Sequence, residues 1–438
     1  MHAKTNELNL IERLVFLAFL FVPLKFFTIK LGSLSLNFSR IIIAILLPIA
    51  FFYILKELSK KNPIRINSIY FNNYALLLFI YSVFSYLIAI TVYYDLDFFT
   101  RIHLSSISFF ESMLLLPFIF FVLVPSPEKQ VIIFKKVFKF LKIFVYLSVF
   151  QFFLDLLGFS ISYESIGESA LENRGDIFGF DILRINSFFG EPRDLAALIV
   201  PIFIMNSILE NRSLRLYEIF FILLIGIATI SSSFLIVILV STLTFGIFSS
   251  SIVRLLIFSI FSFLVTLYFF NIEFLQEFSQ NNISSRFSIV FQLLNPEVIG
   301  AIANISPEFL EQISDISLFS YIFNGLIFEL NGFLGHGLGS AHFAINQIAL
   351  NIFNIQNENI IYGSRWIFYT LLLEIGIIGF IILILMFLRI YKLSFIANKK
   401  INNRQLIYIM IFTASTLFSS IYFFTFIWIY FSIRRNYL

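Results

Sequence analysis

Long apolar stretches separated by clusters of charged residues most constrain how this chain can fold. A helix needs about 20 apolar residues to cross the hydrocarbon core of a bilayer. Only 13% of the 438 residues are charged, against about 25% in soluble domains. This pattern excludes a soluble globular protein and predicts an all-α polytopic membrane bundle, a single domain over residues 1–438. We expect twelve spans, at 11–27, 41–55, 74–92, 104–124, 143–159, 195–209, 217–231, 234–249, 255–270, 366–388, 405–418 and 420–433.

Three further features of the sequence concern the number of spans, the role of the first span and the chemistry that is available to the chain. The stretches 217–249 and 405–433 can each form one long tilted span or a tight pair of spans. The first span has no small-residue cleavage site after its apolar core, which predicts a retained helix rather than a signal peptide. The chain has no cysteine, which excludes disulfides, thiolate metal sites and a cysteine nucleophile.

The distribution of basic residues predicts the orientation of the spans. With a cytoplasmic N-terminus and twelve spans, 21 of the 30 lysines and arginines fall on the inner side, as the positive-inside rule requires. Only six of the 26 acidic residues do. We therefore expect a multi-pass protein of a bacterial inner membrane with both termini in the cytoplasm.

Two external segments are longer than is needed to connect helices, namely 160–194 and the large loop 271–365. Loops of this length are usually functional. In the larger one, Ser284 and Ser285 can cap an amphipathic helix that ends at Pro296, and Ser306 with Pro307 can open another. We expect both helices to lie on the outer membrane surface or to cover a cavity.

The segment from Arg184 to Ala197 brings two arginines and two acids to the outer end of the sixth span. Glu191 and Pro192 form a turn before an apolar helix, with Arg193 in its first turn. A helix N-terminus favours anions, and arginines add bidentate donors for phosphate oxygens. The alternative for Arg193 is interfacial anchoring, whereas Arg184 and Glu191 together favour a functional site.

The remaining candidates lie in the large loop and the tenth span. Glycines alternate from Gly335 to Gly339 around His336, a pattern that allows a concave array of N–H groups beside a proton-transfer residue. Arg286 can bind an anion or lipid headgroups, and Arg365 precedes the span that contains Glu374. Glu374 can bind substrate or pair with a neighbouring helix.

His103, His336 and His342 lack the dense spacing of a zinc site, so no metal is predicted.

Together these elements resemble the membrane superfamily of polysaccharide polymerases and O-antigen ligases, and in particular its Wzy-type O-antigen or capsule polymerases. Arg184–Ala197 is similar to the family's Arg-x-x-Ser/Gly-x-Phe-x-Glu-Pro pattern, and Gly335–Phe343 to its Gly-x-Gly-Leu-Gly-Ser-x-x-Phe element. The Ser285-Arg286 helix and the Leu373–Gly379 opening of the following span add to the likeness, which covers about residues 180–385.

The resemblance implies glycosyl transfer between undecaprenyl-diphosphate-linked oligosaccharides at the outer face of the inner membrane. It implies Glu191 or His336 as base and Arg286 at the catalytic centre, with Arg184, Arg193, Arg365 and Glu374 binding substrate. No cofactor and no nucleic acid enter this scheme. The expected partners are the lipid-linked oligosaccharide, membrane lipids and a chain-length regulator protein.

Two other functions compete with this one. An O-antigen ligase would transfer finished glycan to a lipid A core, but Ser231–Phe234 lacks the arginine typical of that branch, and Ser364-Arg365-Trp366 stands where the branch has a His-Asn pair. A flippase or transporter predicts two similar halves with short loops on both faces. Here the two halves differ and the loop mass is external.

We predict that Arg286→Ala abolishes polymer formation and leaves membrane insertion intact, because the variant loses a cation that would neutralise the leaving diphosphate. The measurement is a surface-glycan gel together with a membrane immunoblot. Polymer of normal length from a well-expressed variant would contradict the assignment.

Overall fold

The computed structural model describes most of the predicted spans and one part of the large loop. Within the described residues the chain is helical apart from two short hairpins. The described residues are 8–24, 28–31, 34–60, 69–93, 99–157, 174–177, 180–183, 185, 187–189, 192–229, 232–248, 330–341, 343, 367–397, 403–416 and 421–434.

The helices and strands follow one another with short connections in the first half of the chain. In order, they are α1 (Leu10–Phe21), β1 (Thr28–Leu31), β2 (Leu34–Asn37), α2 (Phe38–Ser59), α3 (Asn73–Val92), α4 (Phe99–Phe110), a π-helical turn (Glu111–Leu115), α5 (Leu116–Leu123), α6 (Pro127–Leu156), β3 (Arg174–Ile177), β4 (Phe180–Leu183), a 3₁₀ turn (Ser187–Phe189), α7 (Pro192–Leu209), α8 (Leu216–Ala228), α9 (Ser232–Phe248), α10 (Leu330–Leu334), α11 (Ile367–Ala397), α12 (Asn403–Thr416) and α13 (Ile421–Arg434).

The helical fold class is confirmed, while the number of spans stays a prediction. A helix is present at each predicted span except 255–270, which lies outside the described residues. The two ambiguous stretches each contain two helices, α8 with α9 and α12 with α13. Helix α6 begins sixteen residues before the predicted span at 143, because its first half carries lysines on one side and buried apolar residues on the other.

Several helices are long and apolar enough to cross a membrane, so the chain is a membrane protein. On α2 and α3, large apolar side chains such as Phe52 (69% exposed) and Leu76 (62% exposed) are mostly uncovered by protein, as expected for contact with lipid. Among the described residues, the helices with the length and apolar composition to cross a membrane are Phe38–Ser59, Asn73–Val92, Ile102–Leu123, Pro127–Leu154 and Thr370–Leu393. Shorter apolar helices are present at Asp194–Leu209 and Leu216–Ala228.

Two antiparallel hairpins were not predicted from the sequence. Strands β1 and β2 pair from Thr28 opposite Asn37 to Leu31 opposite Leu34. Strands β3 and β4 pair from Arg174 opposite Leu183 to Ile177 opposite Phe180, inside the predicted segment 160–194. Each strand has four residues, which is too short for an alternating pattern to stand out from the surrounding apolar sequence.

The chain divides into two compact units. The first comprises Met1–Tyr70, Ser112–Phe263 and Tyr391–Leu438, and the second comprises Phe71–Glu111 and Leu264–Ile390. Each unit contains candidate membrane helices. The single-domain assignment and the position of 271–365 outside the membrane therefore stay predictions.

Phenylalanine builds the core of the first unit. The ring of Phe19 on α1 lies 5.1 Å from that of Phe120 on α5, 5.6 Å from Phe134 on α6 and 5.2 Å from Phe426 on α13, measured between centroids. These rings are tilted relative to one another, a geometry that is favourable for aromatic pairs. All four are essentially buried, so one cluster joins helices from both ends of the chain.

A buried carboxylate connects three elements of the same unit. Glu218, in the first turn of α8, accepts hydrogen bonds from Arg212 Nη1 at 2.6 Å and Nη2 at 2.7 Å and forms an ion pair with Lys142 of α6. It also accepts the backbone N–H of Arg215 at 2.9 Å, which caps the helix. The bidentate arginine and the added donors satisfy a charge that would be costly to bury alone.

Lysine and arginine side chains of the first unit form ion pairs with acidic side chains at several places. The orientation of the termini stays a prediction. The pairs are Lys60–Glu57, Lys129–Glu12, Lys142–Glu218, Arg212–Glu210 and Arg212–Glu218.

We predict that Glu218→Ala destabilises the protein by about 3–5 kcal/mol, because Lys142 loses its carboxylate partner and Arg212 keeps only its pair with Glu210. The measurement is thermal unfolding of the solubilised protein followed by size-exclusion chromatography. The matched control is Lys60→Ala, which removes a surface pair with Glu57 and should cost about 0–1 kcal/mol. Equal melting temperatures for the two variants would contradict the role of Glu218.

Candidate functional site

Two of the predicted site residues, His336 and Glu374, are described in full and lie together in the second unit. Arg193 is the second residue of α7, and its side chain is not described. Arg184, Glu191, Arg286 and Arg365 lie outside the described residues, so their roles stay predictions.

Helix α11 is interrupted at Gly376. This residue has φ 62° and ψ −174°, a conformation that is essentially restricted to glycine. In a continuous helix, the carbonyls of Leu373 and Glu374 would accept hydrogen bonds from residues four positions later. The positive φ at Gly376 breaks this ladder, so both carbonyls need other donors.

The glycine-rich loop supplies those donors. The backbone N–H of His336 donates to Leu373 O at 2.8 Å, and that of Gly337 donates to Glu374 O at 3.0 Å. The hydroxyl of Ser85 on α3 also donates to Glu374 O, at 2.9 Å. Since an unsatisfied backbone group in a membrane costs several kcal/mol, the loop and the helix break stabilise each other.

Three glycines of the loop each face a different helix at close range. A Cβ at Gly335 would lie 2.3 Å from Glu374 O of α11, and one at Gly337 would lie 2.5 Å from the backbone N of Ala89 on α3. A Cβ at Gly339 would lie 2.4 Å from Ile102 O on α4. All three residues have positive φ, between 83° and 104°. The alternating glycines therefore allow the loop to lie directly against three helix backbones.

The carboxylate of Glu374 completes the attachment. It is buried and accepts the backbone N–H groups of Gly339 and Ala341. The N–H of Leu338 donates to Ser85 O at 3.2 Å, and the N–H of Ser340 donates to Gly337 O at 3.1 Å. Two N–H groups of the loop, those of Gly339 and Ala341, thus bind the carboxyl group of a side chain of the protein itself.

His336 is held at its backbone while its imidazole is half-buried. The hydroxyl of Tyr93, directly after α3, lies 3.4 Å from Nδ1 of the imidazole. Tyr93 is buried, and its ring stacks on Phe343 at 5.3 Å between centroids. Burial raises the pKa of Tyr93 to about 12, so its side chain is a neutral hydroxyl at physiological pH.

A second histidine makes a similar contact seven residues earlier on α3. The hydroxyl of Tyr86 lies 2.6 Å from Nδ1 of His103 on α4. Tyr86 and Tyr93 are about two helical turns apart, so the two histidines contact the same side of this segment. Within the residues that the structure describes, no group of three His, Asp or Glu side chains forms a metal site, and His342 lies outside them.

Chemically, this arrangement presents one imidazole from a fixed backbone. An imidazole with one nitrogen hydrogen-bonded and the ring partly accessible is suited to proton transfer near neutral pH. Sequence reasoning identified His336 and Glu374, and it missed Ser85 and Tyr93. Tyr93 is 243 residues from His336 and no spacing links them, so only the tertiary structure brings them together.

We predict that Gly337→Ala separates the loop from α3, because the new Cβ overlaps the backbone of Ala89 and φ is 104°. The expected loss of stability exceeds about 1 kcal/mol. The measurement is thermal unfolding, with Ile378→Ala at a 40% exposed position of α11 as the control. If both variants unfold at the wild-type temperature, the close packing of the loop is wrong.

No protein-family model matches the chain, and no curated protein matches it in sequence.

Proposed function

We propose that this protein polymerises undecaprenyl-diphosphate-linked oligosaccharide repeat units into O-antigen or capsular polysaccharide at the outer face of a bacterial inner membrane. The proposal rests on the resemblance of residues 180–385 to Wzy-type polymerases. It is supported by the membrane helices and by the site around His336.

The observation that carries the proposal is the attachment of the loop Gly335–Ala341 to the break in α11. Two motifs of the resemblance, the glycine loop and the Leu373–Gly379 segment, contact each other through hydrogen bonds of 2.8 and 3.0 Å. A general base has to be held within hydrogen-bond reach of the proton it removes. The backbone contacts of this loop support such a role, because they hold the backbone of His336 in place.

In the proposed reaction, a hydroxyl oxygen of one repeat unit attacks the anomeric carbon that bears the lipid diphosphate of another. The new C–O bond forms as the bond from that carbon to the diphosphate oxygen breaks, and the bonding electron pair leaves with undecaprenyl diphosphate. The hydroxyl proton passes to His336 or to Glu191. Arg184, Arg286 and Arg365, with Arg193, neutralise the charge of the leaving diphosphate.

A transporter is the second candidate, because interrupted helices are typical of transporter binding sites. In such sites the free carbonyls at the break coordinate the transported ion. Here the carbonyls of Leu373 and Glu374 accept hydrogen bonds from the protein's own loop. This closure favours a fixed catalytic scaffold over a site that must load and release an ion.

The experiment that tests the proposal is deletion of the gene followed by a gel of the surface glycan. A polymerase predicts loss of the ladder with a single capped repeat unit remaining. Polymer that accumulates on the lipid carrier and is missing from its final acceptor would indicate a ligase. Loss of all external repeat units would indicate a flippase, and an unchanged ladder would contradict all three.

We predict that His336→Ala lowers the rate of polymer formation by about 10²–10⁴-fold, the range expected for loss of a general base. The measurement is the rate of chain growth in membranes from the deletion strain complemented with each variant. His103→Ala is the matched control, because it removes a histidine that contacts the same segment through Tyr86. A wild-type rate in His336→Ala would eliminate it as the base and leave Glu191 as the candidate.

A further inference from the structure

The environment of Tyr93 makes its hydroxyl a fixed point beside His336. Only 3% of Tyr93 is exposed, and its ring packs with Ala89, Ile102 and Phe343. Phe343 belongs to the same stretch of chain as His336 and stacks on the tyrosine at an interplanar angle of 21°. Movement of the Tyr93 ring would therefore disturb packing on α3, α4 and the loop together.

A neutral imidazole has one N–H proton. The hydrogen-bond partner of one ring nitrogen determines whether that nitrogen or the other one carries the proton. The nitrogen of His336 that faces Tyr93 is Nδ1. At 3.4 Å the contact is long, and hydrogen bonds at catalytic residues often tighten only when substrate is bound. A hydroxyl oxygen can accept a hydrogen bond from Nδ1–H, which favours the tautomer whose lone pair is on Nε2.

We propose that Tyr93 is the positioning residue of His336, and that its phenolic oxygen accepts the Nδ1–H so that Nε2 is presented to the substrate hydroxyl. The part of this inference that concerns the substrate rests on the proposed function. The Tyr93–His336 contact itself is independent of that function. It can therefore be tested without any substrate.

Two titratable side chains on the helices that pack against this segment have partners other than Tyr93. The carboxylate of Glu374 on α11 is bound to the N–H groups of Gly339 and Ala341. His103 on α4 contacts Tyr86. Neither of these contacts involves the Tyr93 hydroxyl, so Tyr93→Phe removes neither of them.

The test is carbethoxylation of the purified full-length protein with diethyl pyrocarbonate, which modifies unprotonated imidazoles, with each site quantified by mass spectrometry. Tyr93→Phe keeps the ring that stacks on Phe343 and removes only the hydroxyl. We expect the limiting rate at His336 to fall about three- to tenfold, the effect of losing one hydrogen bond. Its pH midpoint should move to lower pH, because an oxygen that accepts from Nδ1–H stabilises the imidazolium.

The second histidine provides the matched control. Tyr93→Phe should leave the rate at His103 unchanged, which also reports that the variant is folded. Tyr86→Phe should change the rate at His103 and leave His336 unchanged. An unchanged midpoint at His336 in Tyr93→Phe would overturn the inference. A midpoint moved to higher pH would also overturn it, because the tyrosine would then donate to Nδ1 and place the proton on Nε2.

Activity provides a separate readout. In membranes that make polymer, Tyr93→Phe should lower kcat by about tenfold with little change in KM, the upper end of the effect of losing one hydrogen bond. If gene deletion leaves the glycan ladder unchanged, the proposed function fails, while the carbethoxylation result still decides the role of Tyr93. If deletion removes the ladder and Tyr93→Phe alters neither rate nor midpoint, only the inference on Tyr93 fails.

Discussion

The interruption of α11 at Gly376 is the constraint on which the candidate site depends. A helix broken inside an apolar environment exposes backbone carbonyls that lipid cannot satisfy. The protein satisfies them with the N–H groups of His336 and Gly337, and it satisfies N–H groups later in the loop with the Glu374 carboxylate. The break and the loop therefore form one structural element, and the position of His336 follows from it.

The residues that pack the helices together differ between the two units. The first unit fills its core with tilted phenylalanine rings and pairs its buried carboxylate, Glu218, with Arg212 and Lys142. The second unit uses glycine, so that the backbones of the loop and of α3, α4 and α11 come into direct contact. Phenylalanine packing is tolerant of sequence change, whereas a glycine–backbone contact admits no larger residue. The glycine contacts of the second unit therefore hold the backbone of the loop that carries His336 in a fixed position.

The sequence predicted the helices well because a membrane span is a strong and local signal. It also identified the glycine loop around His336 and the Leu373–Gly379 segment as separate motifs, and it gave no indication that they bind each other. That contact depends on the positive φ of Gly376 and on Ser85, which lies 289 residues from Glu374 along the chain. The short hairpins were missed because four residues carry too little periodicity.

The most direct test of this account is backbone hydrogen exchange of the full-length protein in a lipid nanodisc, followed by mass spectrometry. An exposed glycine-rich loop exchanges fast, whereas amides bonded to buried acceptors exchange only when the structure opens. Peptides covering Gly335–Ala341 should be protected from exchange for minutes to hours, about as long as the peptides of the adjoining helices. Complete exchange of this segment within seconds, with α3 and α11 still protected, would contradict it.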